Sequence, residues 1–292
     1  MVAGKAPDIR VNPITGLTYP SYLKLMRSFR RRDPSRTIRS PFLLSHLRRA
    51  AAKQGGTLLS PHARWAAIAI FLGLRACEFL YSPYTASKPG PDGLPRGFLA
   101  VDITFITADG TIYAFDDVFD VSTIAVVRFR FRFQKNGDNN VSRDAKRSGD
   151  ALFCPVDIML QCRALFLSLP LRDRNSAFAI DADGTRLSAR SMAAFVKGVV
   201  RYVTPDISDG ELALFTTHSF RVGALHHLLL SGISIELAVD YLRWRSAAYM
   251  LYMRSSMVNF ARLTAARSDV VADFDADANY DSDVDDVDAE SA

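Results

Sequence analysis

Seven residues in the middle of the chain, from Val127 to Phe133, alternate strictly between apolar side chains and arginines. Successive side chains of an extended strand point to opposite faces, so every phenylalanine falls on one face and Arg128, Arg130 and Arg132 fall on the other. We predict a strand whose phenylalanine face packs on helices and whose arginine face stays at the surface as a row of three cations. This row is either a solvated strand face or a contact for a DNA backbone.

The patterns on either side of this strand are mainly helical. Helices are predicted over Pro41–Lys53, Pro61–Leu80, Pro155–Leu169, Ser188–Val203, Thr217–Leu230, Ser234–Arg243 and Ser246–Leu263. Further strands are predicted over Phe98–Ile106 and Thr111–Phe115, around an Asp109-Gly110 turn. Asn136-Gly137 signals a second tight hairpin, and the polar residues 138–150 are expected to form a mobile loop. The predicted fold class is mainly α (α+β), with a small antiparallel sheet inserted between the second and third helices.

Charge is distributed unevenly along the chain. The segment from Asp269 to Ala292 holds ten acidic side chains and no basic one. The preceding 268 residues hold 36 basic and 21 acidic side chains, a net charge of +15, although the whole chain carries only +5. A basic body favours a polyanionic partner through phosphate neutralisation and counterion release, and nucleic acid fits this best; the alternative is a solvated basic surface. Residues 267–292 are expected to form an acidic, disordered tail.

Several other classes of protein are disfavoured by the sequence. The longest apolar run, Ala66 to Leu74, is too short to span a bilayer, and no signal segment opens the chain. The three cysteines are expected to be reduced and buried, and neither they nor the histidines show the spacing of a metal site. We expect an intracellular protein with no membrane partner and no cofactor, located in the nucleus if the host is eukaryotic.

Residues 1–40 form a basic N-terminal segment that precedes the predicted globular part. It contains a cluster of arginines from Arg27 to Arg39, which includes Arg30, Arg31 and Arg32. Such a cluster either lies along a DNA backbone or serves as a nuclear localisation signal.

The residues with the most evident chemistry lie in the last third of the chain. His218-Ser219-Phe220-Arg221 is followed by Trp244 and Tyr252, which places an imidazole, a guanidinium, an indole and a phenol within 35 residues. Attack on a phosphodiester needs a nucleophile, a group that transfers protons and fixed positive charge. Arg75 and Lys135, far upstream, would complete this set. Tyr249, one helical turn before Tyr252, is the competing candidate for the nucleophile.

Five separated segments carry a resemblance to a known family. They are Leu74-Arg75-Ala76-Cys77-Glu78, Phe133-Gln134-Lys135-Asn136-Gly137, Thr217-His218-Ser219-Phe220-Arg221-Val222-Gly223-Ala224, Leu242-Arg243-Trp244-Arg245-Ser246 and Ala247-Ala248-Tyr249-Met250-Leu251-Tyr252-Met253-Arg254. In this order they resemble the first arginine box, the lysine hairpin, the His-x-x-Arg box, the His/Trp box and the nucleophile helix of the tyrosine recombinases, also called the phage integrase family. The resemblance covers a catalytic domain of residues 41–266.

The resemblance implies an enzyme that breaks and rejoins DNA without a metal. Tyr252 would attack the scissile phosphate and form a 3′-phosphotyrosyl intermediate. Arg75 and Arg221 would each present a planar set of donors to the phosphate oxygens, and Lys135 would give a proton to the departing 5′ oxygen.

The remaining site residues have supporting roles in this scheme. His218 would accept a proton or hold the phosphate, Trp244 would donate its indole N–H, and Glu78 would orient Arg75 or His218. The family also implies double-stranded DNA as partner, a tetramer assembled on two DNA sites, and a role in DNA recombination or integration by a mobile element. The alternatives are a catalytically impaired DNA-binding derivative of the same fold and a type IB topoisomerase-like enzyme.

Three features depart from the family pattern. Only about 40 residues precede Pro41, so the N-terminal segment is expected to be a remnant of the DNA-clamp domain plus a linker. Arg243 stands where a glycine is usual, which puts the tightness of that turn in doubt. Val222 stands where a polar or basic residue is common.

Overall fold

The computed structural model of the chain describes residues 38–55, 60–81, 90, 93–134, 139–170, 172–244, 249–250 and 252, all within a unit that begins at Ile38. The α-helices of these ranges are α1 (Leu44–Ala52), α2 (Pro61–Leu72), α3 (Ala76–Phe79), α4 (Pro155–Leu167), α5 (Ala189–Val203), α6 (Asp209–Leu212), α7 (Ser219–Leu230) and α8 (Ile235–Tyr241). The strands are β1 (Ile103–Thr107), β2 (Ile112–Ala114), β3 (Ile124–Phe131) and β4 (Val141–Lys146). They form one antiparallel sheet in the order β2-β1-β3-β4. The predicted α+β class, with a small antiparallel sheet between helices, is confirmed.

Strand β3 has the predicted alternation of burial. Val127, Phe129 and Phe131 are buried, and this face of the strand packs against α4. The phenylalanines continue into an aromatic core, in which the rings of Phe98 and Phe131 lie 5.1 Å apart with their planes nearly perpendicular. Burial of such rings provides much of the apolar area that stabilises a domain of this size. The sheet is thereby fixed against the helices.

Two predictions about the sheet are wrong. Residues 98–102 are not part of β1, because the Asp102 carboxylate accepts the backbone N–H of Leu99 at 2.9 Å and stabilises a 3₁₀ turn over Ala100–Asp102. Residues 141–146, predicted to lie in a mobile loop, instead form strand β4, which pairs with β3 along its length. A strand at the edge of a sheet can be polar on both faces, and for this reason hydrophobic patterning did not reveal it.

The predicted helix from Pro61 to Leu80 is two helices rather than one. Gly73 ends α2 in the left-handed conformation, with φ of 56°. A Cβ on Gly73 would lie 2.2 Å from Cδ2 of Leu242, so a side chain at this position would displace the buried Leu242 side chain. The break turns the backbone sharply and places Arg75 at the N-cap of α3, rather than inside an apolar helix as predicted.

The helices of the described ranges are all too short or too polar to cross a bilayer. At the centre of the core, α2 is apolar on all sides from Trp65 onward, and its residues from Trp65 to Ile70 are buried. A helix that is hydrophobic all round belongs in a protein core when it is this short.

The three cysteines should differ strongly in reactivity. None of the three forms a disulfide; Cys154 and Cys162 are buried, whereas Cys77 is partly exposed. Burial raises the pKa of Cys162 to about 12, so only on the order of 10⁻⁴ of this thiol is ionised at pH 8. We expect Ellman's reagent to modify one thiol in the folded protein and three in denaturant, and Cys77→Ser to remove the fast reaction. Rapid reaction of a second thiol in the folded protein would contradict this burial.

Candidate active site

The His-x-x-Arg box lies at the start of α7. His218 is the N-cap residue of this helix, and Arg221 follows one turn later with only 1% of its surface exposed. The Arg221 guanidinium donates from Nη1 to the Gly73 carbonyl and from Nη2 to the Leu242 carbonyl, each at 2.8 Å. Arg221 therefore connects the turn after α2, the helix α7 and the turn after α8.

Trp244 and Tyr252 contact this box directly. The Arg221 guanidinium lies 5.0 Å from the centre of the Trp244 ring, and the rings of Trp244 and Tyr252 are nearly parallel at 6.0 Å. The centre of the Tyr252 ring is also 5.3 Å from that of His218. Four of the predicted site residues are thus brought together. We refer to His218, Arg221, Trp244 and Tyr252 as the Tyr252 cluster.

The competing tyrosine occupies a different position. Tyr249 also stacks on Trp244, with ring centres 6.2 Å apart. Within the part of the chain that the structure describes, however, the tyrosine ring in contact with His218 is that of Tyr252. Of Tyr249 and Tyr252, Tyr252 is therefore the one whose ring is described in contact with the imidazole of His218.

Arg75 and Glu78 form an ion pair across the first turn of α3. The Arg75 backbone N–H donates to Glu78 Oε2 at 2.8 Å, and Arg75 Nη1 donates to Glu78 Oε1 at 3.0 Å. Arg75 Nη2 also donates to the carbonyl of Arg243 at 3.1 Å, which joins this pair to the turn that carries Trp244. Of the two partners considered for Glu78, Arg75 is the one with which these hydrogen bonds are made.

Arg243 is a site residue that sequence reasoning missed. Its side chain is 4% exposed, and Nη2 donates to Glu78 Oε2 at 2.9 Å. The guanidinium also lies 3.8 Å from the centre of the Phe131 ring. The sequence gives one signal of unusual local structure here, because Arg243 stands where the family usually has glycine. It does not reveal the partner, Glu78, which is 165 residues away in sequence. We refer to Arg75, Glu78 and Arg243 as the Glu78 triad.

Positive charge exceeds negative charge in this region. Arg75 and Arg243 share the single carboxylate of Glu78, and the buried Arg221 adds a third guanidinium that donates to two neutral carbonyls. Among the described residues, Nε and Nη1 of Arg243 have no acceptor. Burial lowers the pKa of Arg243, the Glu78 carboxylate raises it, and Arg75 and Arg143 lower it further. Buried cations are costly without compensating anions, so an anionic ligand would be stabilised here.

The predicted surface row of Arg128, Arg130 and Arg132 is paired with carboxylates. Arg128 makes two hydrogen bonds to Asp144, at 2.7 and 2.8 Å. Arg130 and Arg132 both bond to the buried carboxylate of Asp102, at 2.9 and 3.2 Å. The prediction is wrong for Arg132, whose side chain is only 11% exposed, and the other two arginines are exposed but already paired. These partners lie on other elements of the fold, where strand periodicity does not reveal them.

Four predicted site residues lie outside the described residues: Lys135, Arg30, Arg31 and Arg32. Gln134 and Asn139, the described residues that flank this lysine, are joined by a hydrogen bond from the backbone N–H of Gln134 to Asn139 Oδ1 at 2.8 Å.

Arg243 has an unusual backbone conformation that can be tested by substitution. Its φ of 58° lies in the left-handed region, which costs a residue with a Cβ about 1–2 kcal/mol. Arg243→Gly and Arg243→Ala both remove the guanidinium, but only glycine removes this strain. We expect the glycine variant to be more stable to urea than the alanine variant by about 1 kcal/mol. Equal stability of the two variants would show that this residue does not adopt the left-handed conformation.

The sequence matches no protein-family model, and a search of curated proteins finds no match for it. Across the described ranges, no group of three or more histidine, cysteine or acidic side chains is arranged to hold a metal ion. The chemical interpretation of the site therefore depends on its own residues, which combine a phenol, an imidazole, an indole and three guanidinium groups.

Proposed function

We propose that this chain breaks and rejoins DNA strands as a tyrosine recombinase or integrase, with Tyr252 as the nucleophile. The observation that supports this best is the contact of the Tyr252 ring with both His218 and Trp244, beside the guanidinium of Arg221. Tyr252 packs in an apolar cluster, as a structural tyrosine would, but its ring also contacts an imidazole and an indole that a guanidinium faces. The proposal includes a recombinase-like fold for the catalytic domain and double-stranded DNA as the partner.

The chemistry begins with the loss of the phenolic proton. A phenol has a pKa of about 10, so Tyr252 needs a proton acceptor or strong positive charge to react near neutral pH. His218, whose ring contacts that of Tyr252, is the proposed acceptor of this proton, or holds the phosphate if another base accepts it. The Tyr252 oxygen then attacks phosphorus, the bond from phosphorus to the 5′ oxygen breaks, and that oxygen takes up a proton, for which Lys135 is the proposed donor. In the rejoining reaction, the free 5′ hydroxyl of a DNA strand attacks the phosphorus of the phosphotyrosyl bond and releases Tyr252.

The arginines stabilise the charge that develops during this step. A phosphodiester under attack gains negative charge on its non-bridging oxygens, and guanidinium groups held in advance of the reaction are suited to bind them. Arg75 is the more accessible of the two proposed ligands, with 19% of its side chain exposed. Removal of one such donor typically reduces the rate by about 10²–10³-fold.

The proposal is tested with nicked duplex DNA. In such a substrate the short fragment with the free 5′ hydroxyl dissociates after cleavage, and the protein remains attached to the 3′ end. Since the target site is unknown, a radiolabelled pool of random-sequence nicked duplexes should be used. We expect a labelled species that survives denaturing electrophoresis and disappears on protease treatment. DNA binding without any such species would contradict the proposed cleavage.

One observation favours a second candidate function, a DNA-binding derivative with impaired catalysis. Arg221 is almost completely buried, and both terminal nitrogens of its guanidinium donate to backbone carbonyls. An arginine used in this way stabilises the fold and is less available to a phosphate. This candidate predicts salt-sensitive DNA binding with no covalent species at any time point.

A further inference from the structure

Arg143 lies on the inner face of the sheet. In the pairing of β3 with β4, Arg143 is directly opposite Phe129, and opposite residues of an antiparallel pair point to the same face. Phe129 is fully buried. The neighbouring pair, Arg128 and Asp144, lies on the outer face. Arg143 therefore shares its face with the buried phenylalanines rather than with the arginine row.

The side chain of Arg143 has no carboxylate partner among the described side chains. Over the residues that the structure describes, it makes no hydrogen bond or ion pair, and its Nε is buried without an acceptor. The three arginines of the outer face each bond to an aspartate. A partly buried arginine left without a counter-charge is not explained by a contribution to stability. Such a residue is more readily explained by binding of an anion.

The groups near Arg143 belong to the candidate active site. Arg243 packs on Phe131, which lies on the same face of β3, and Arg143 is close enough to lower the pKa of Arg243. Burial raises the pKa of Tyr241, whereas Arg243 and Arg143 lower it. Tyr241 packs in the same apolar cluster as Trp244 and Tyr252. Glu78, the carboxylate of the Glu78 triad, already bonds to Arg75 and Arg243.

We propose that Arg143 binds a second phosphate of the DNA strand, next to the scissile phosphate held by the Tyr252 cluster. This inference rests on the proposed function and extends it to a specific contact. The guanidinium binds the phosphate oxygens through charge-assisted hydrogen bonds, which no described group of the protein makes with it. Arg243 acts as a positioning residue, because it joins the Phe131 face of the sheet to Glu78 and so holds the two phosphate sites in register.

The contact is tested by the salt dependence of DNA binding. Fluorescence anisotropy with a short duplex of arbitrary sequence is sufficient, because phosphate contacts do not depend on sequence. Arg143→Gln should reduce the slope of log affinity against log salt by about 0.9, the value for one phosphate contact. The ratio of wild-type to variant affinity should then fall by about 3.5-fold between 50 and 200 mM salt. Arg143→Lys should restore most of the slope.

Two further measurements separate this role from a structural one. Arg174→Gln is the matched control, because Arg174 is an exposed arginine that already pairs with Asp116 at 2.8 Å; it should leave the slope unchanged. Arg143→Gln should leave the midpoint of urea unfolding unchanged or raise it, since it removes an unpaired cation beside Arg243. A lower midpoint, an unchanged slope, or an equal loss of slope in Arg174→Gln would overturn the inference.

The outcome also distinguishes the inference from the proposed function. A reduced slope for Arg143→Gln in a protein that forms no covalent species would retain the phosphate contact and contradict cleavage. Covalent attachment by a variant with an unchanged slope would retain cleavage and contradict the contact. A wild-type protein that binds no DNA would contradict both.

Discussion

Replacement of Tyr252 by phenylalanine should abolish covalent attachment of DNA, a loss of at least about 10³-fold. The substitution removes the oxygen that would form the bond to phosphorus and preserves the ring that packs against His218 and Trp244. DNA binding, measured by anisotropy, should therefore change by less than about threefold, because the phosphate contacts remain. The measurement is the yield of labelled protein with nicked duplex DNA.

Tyr249→Phe is the matched control for this variant. Tyr249 stacks on the same indole, at 6.2 Å compared with 6.0 Å for Tyr252, so the two substitutions remove one hydroxyl each from similar surroundings. We expect Tyr249→Phe to retain the covalent species. Loss in the Tyr249 variant together with retention in the Tyr252 variant would identify Tyr249 as the nucleophile and contradict our assignment.

Glu78→Gln should be strongly destabilising, by about 3–5 kcal/mol. The substitution keeps the shape of the side chain but removes the carboxylate that Arg75 and Arg243 share, and it leaves two guanidinium groups in a buried site without their counter-charge. Removal of one partner of a buried ion pair lowers the free energy of unfolding because the remaining charge stays desolvated. Urea denaturation followed by circular dichroism measures the loss.

Asp144→Asn is the control for Glu78→Gln. Asp144 also makes two short hydrogen bonds to an arginine, but both side chains of this pair are 39% exposed. Solvent screens such a pair, so its loss should cost no more than about 1 kcal/mol. A Glu78→Gln variant that is no less stable than Asp144→Asn would show that the Glu78 triad does not hold the site together.

The fold was predictable where periodicity and burial coincide. The alternation of Val127 to Phe133 predicted strand β3 and its buried face, because a strand that covers a core has one apolar face, but the strand itself runs from Ile124 to Phe131. The polar strand β4 was missed for the same reason, since an edge strand needs no apolar face. The end of α2 at Gly73 was missed because the apolar run that begins at Ala66 continues past Gly73 to Leu74, and only the left-handed turn marks the end of the helix.

The candidate site was predictable in its residue types and only partly in its contacts. His218 and Arg221 lie one helical turn apart, so their proximity follows from sequence. The hydrogen bonds from Arg75 and Arg243 to the same Glu78 carboxylate do not follow from sequence, because they depend on how the turns after α2 and α8 pack together. The neutralisation of Arg130 and Arg132 by Asp102 likewise depends on tertiary packing. Local spacing predicts which groups share a helix, but the pairing of charges between elements is decided by packing.

The most direct test is to locate the protein–DNA bond by mass spectrometry. After reaction with nicked duplex DNA and nuclease treatment, trypsin should release the peptide Ser246–Arg254, which contains both tyrosines. Fragmentation should place a nucleotide, joined through its 3′ phosphate, on Tyr252. A nucleotide on Tyr249 or on any other residue, or one joined through its 5′ phosphate, would contradict the assignment of Tyr252 as the nucleophile of a 3′-phosphotyrosyl intermediate.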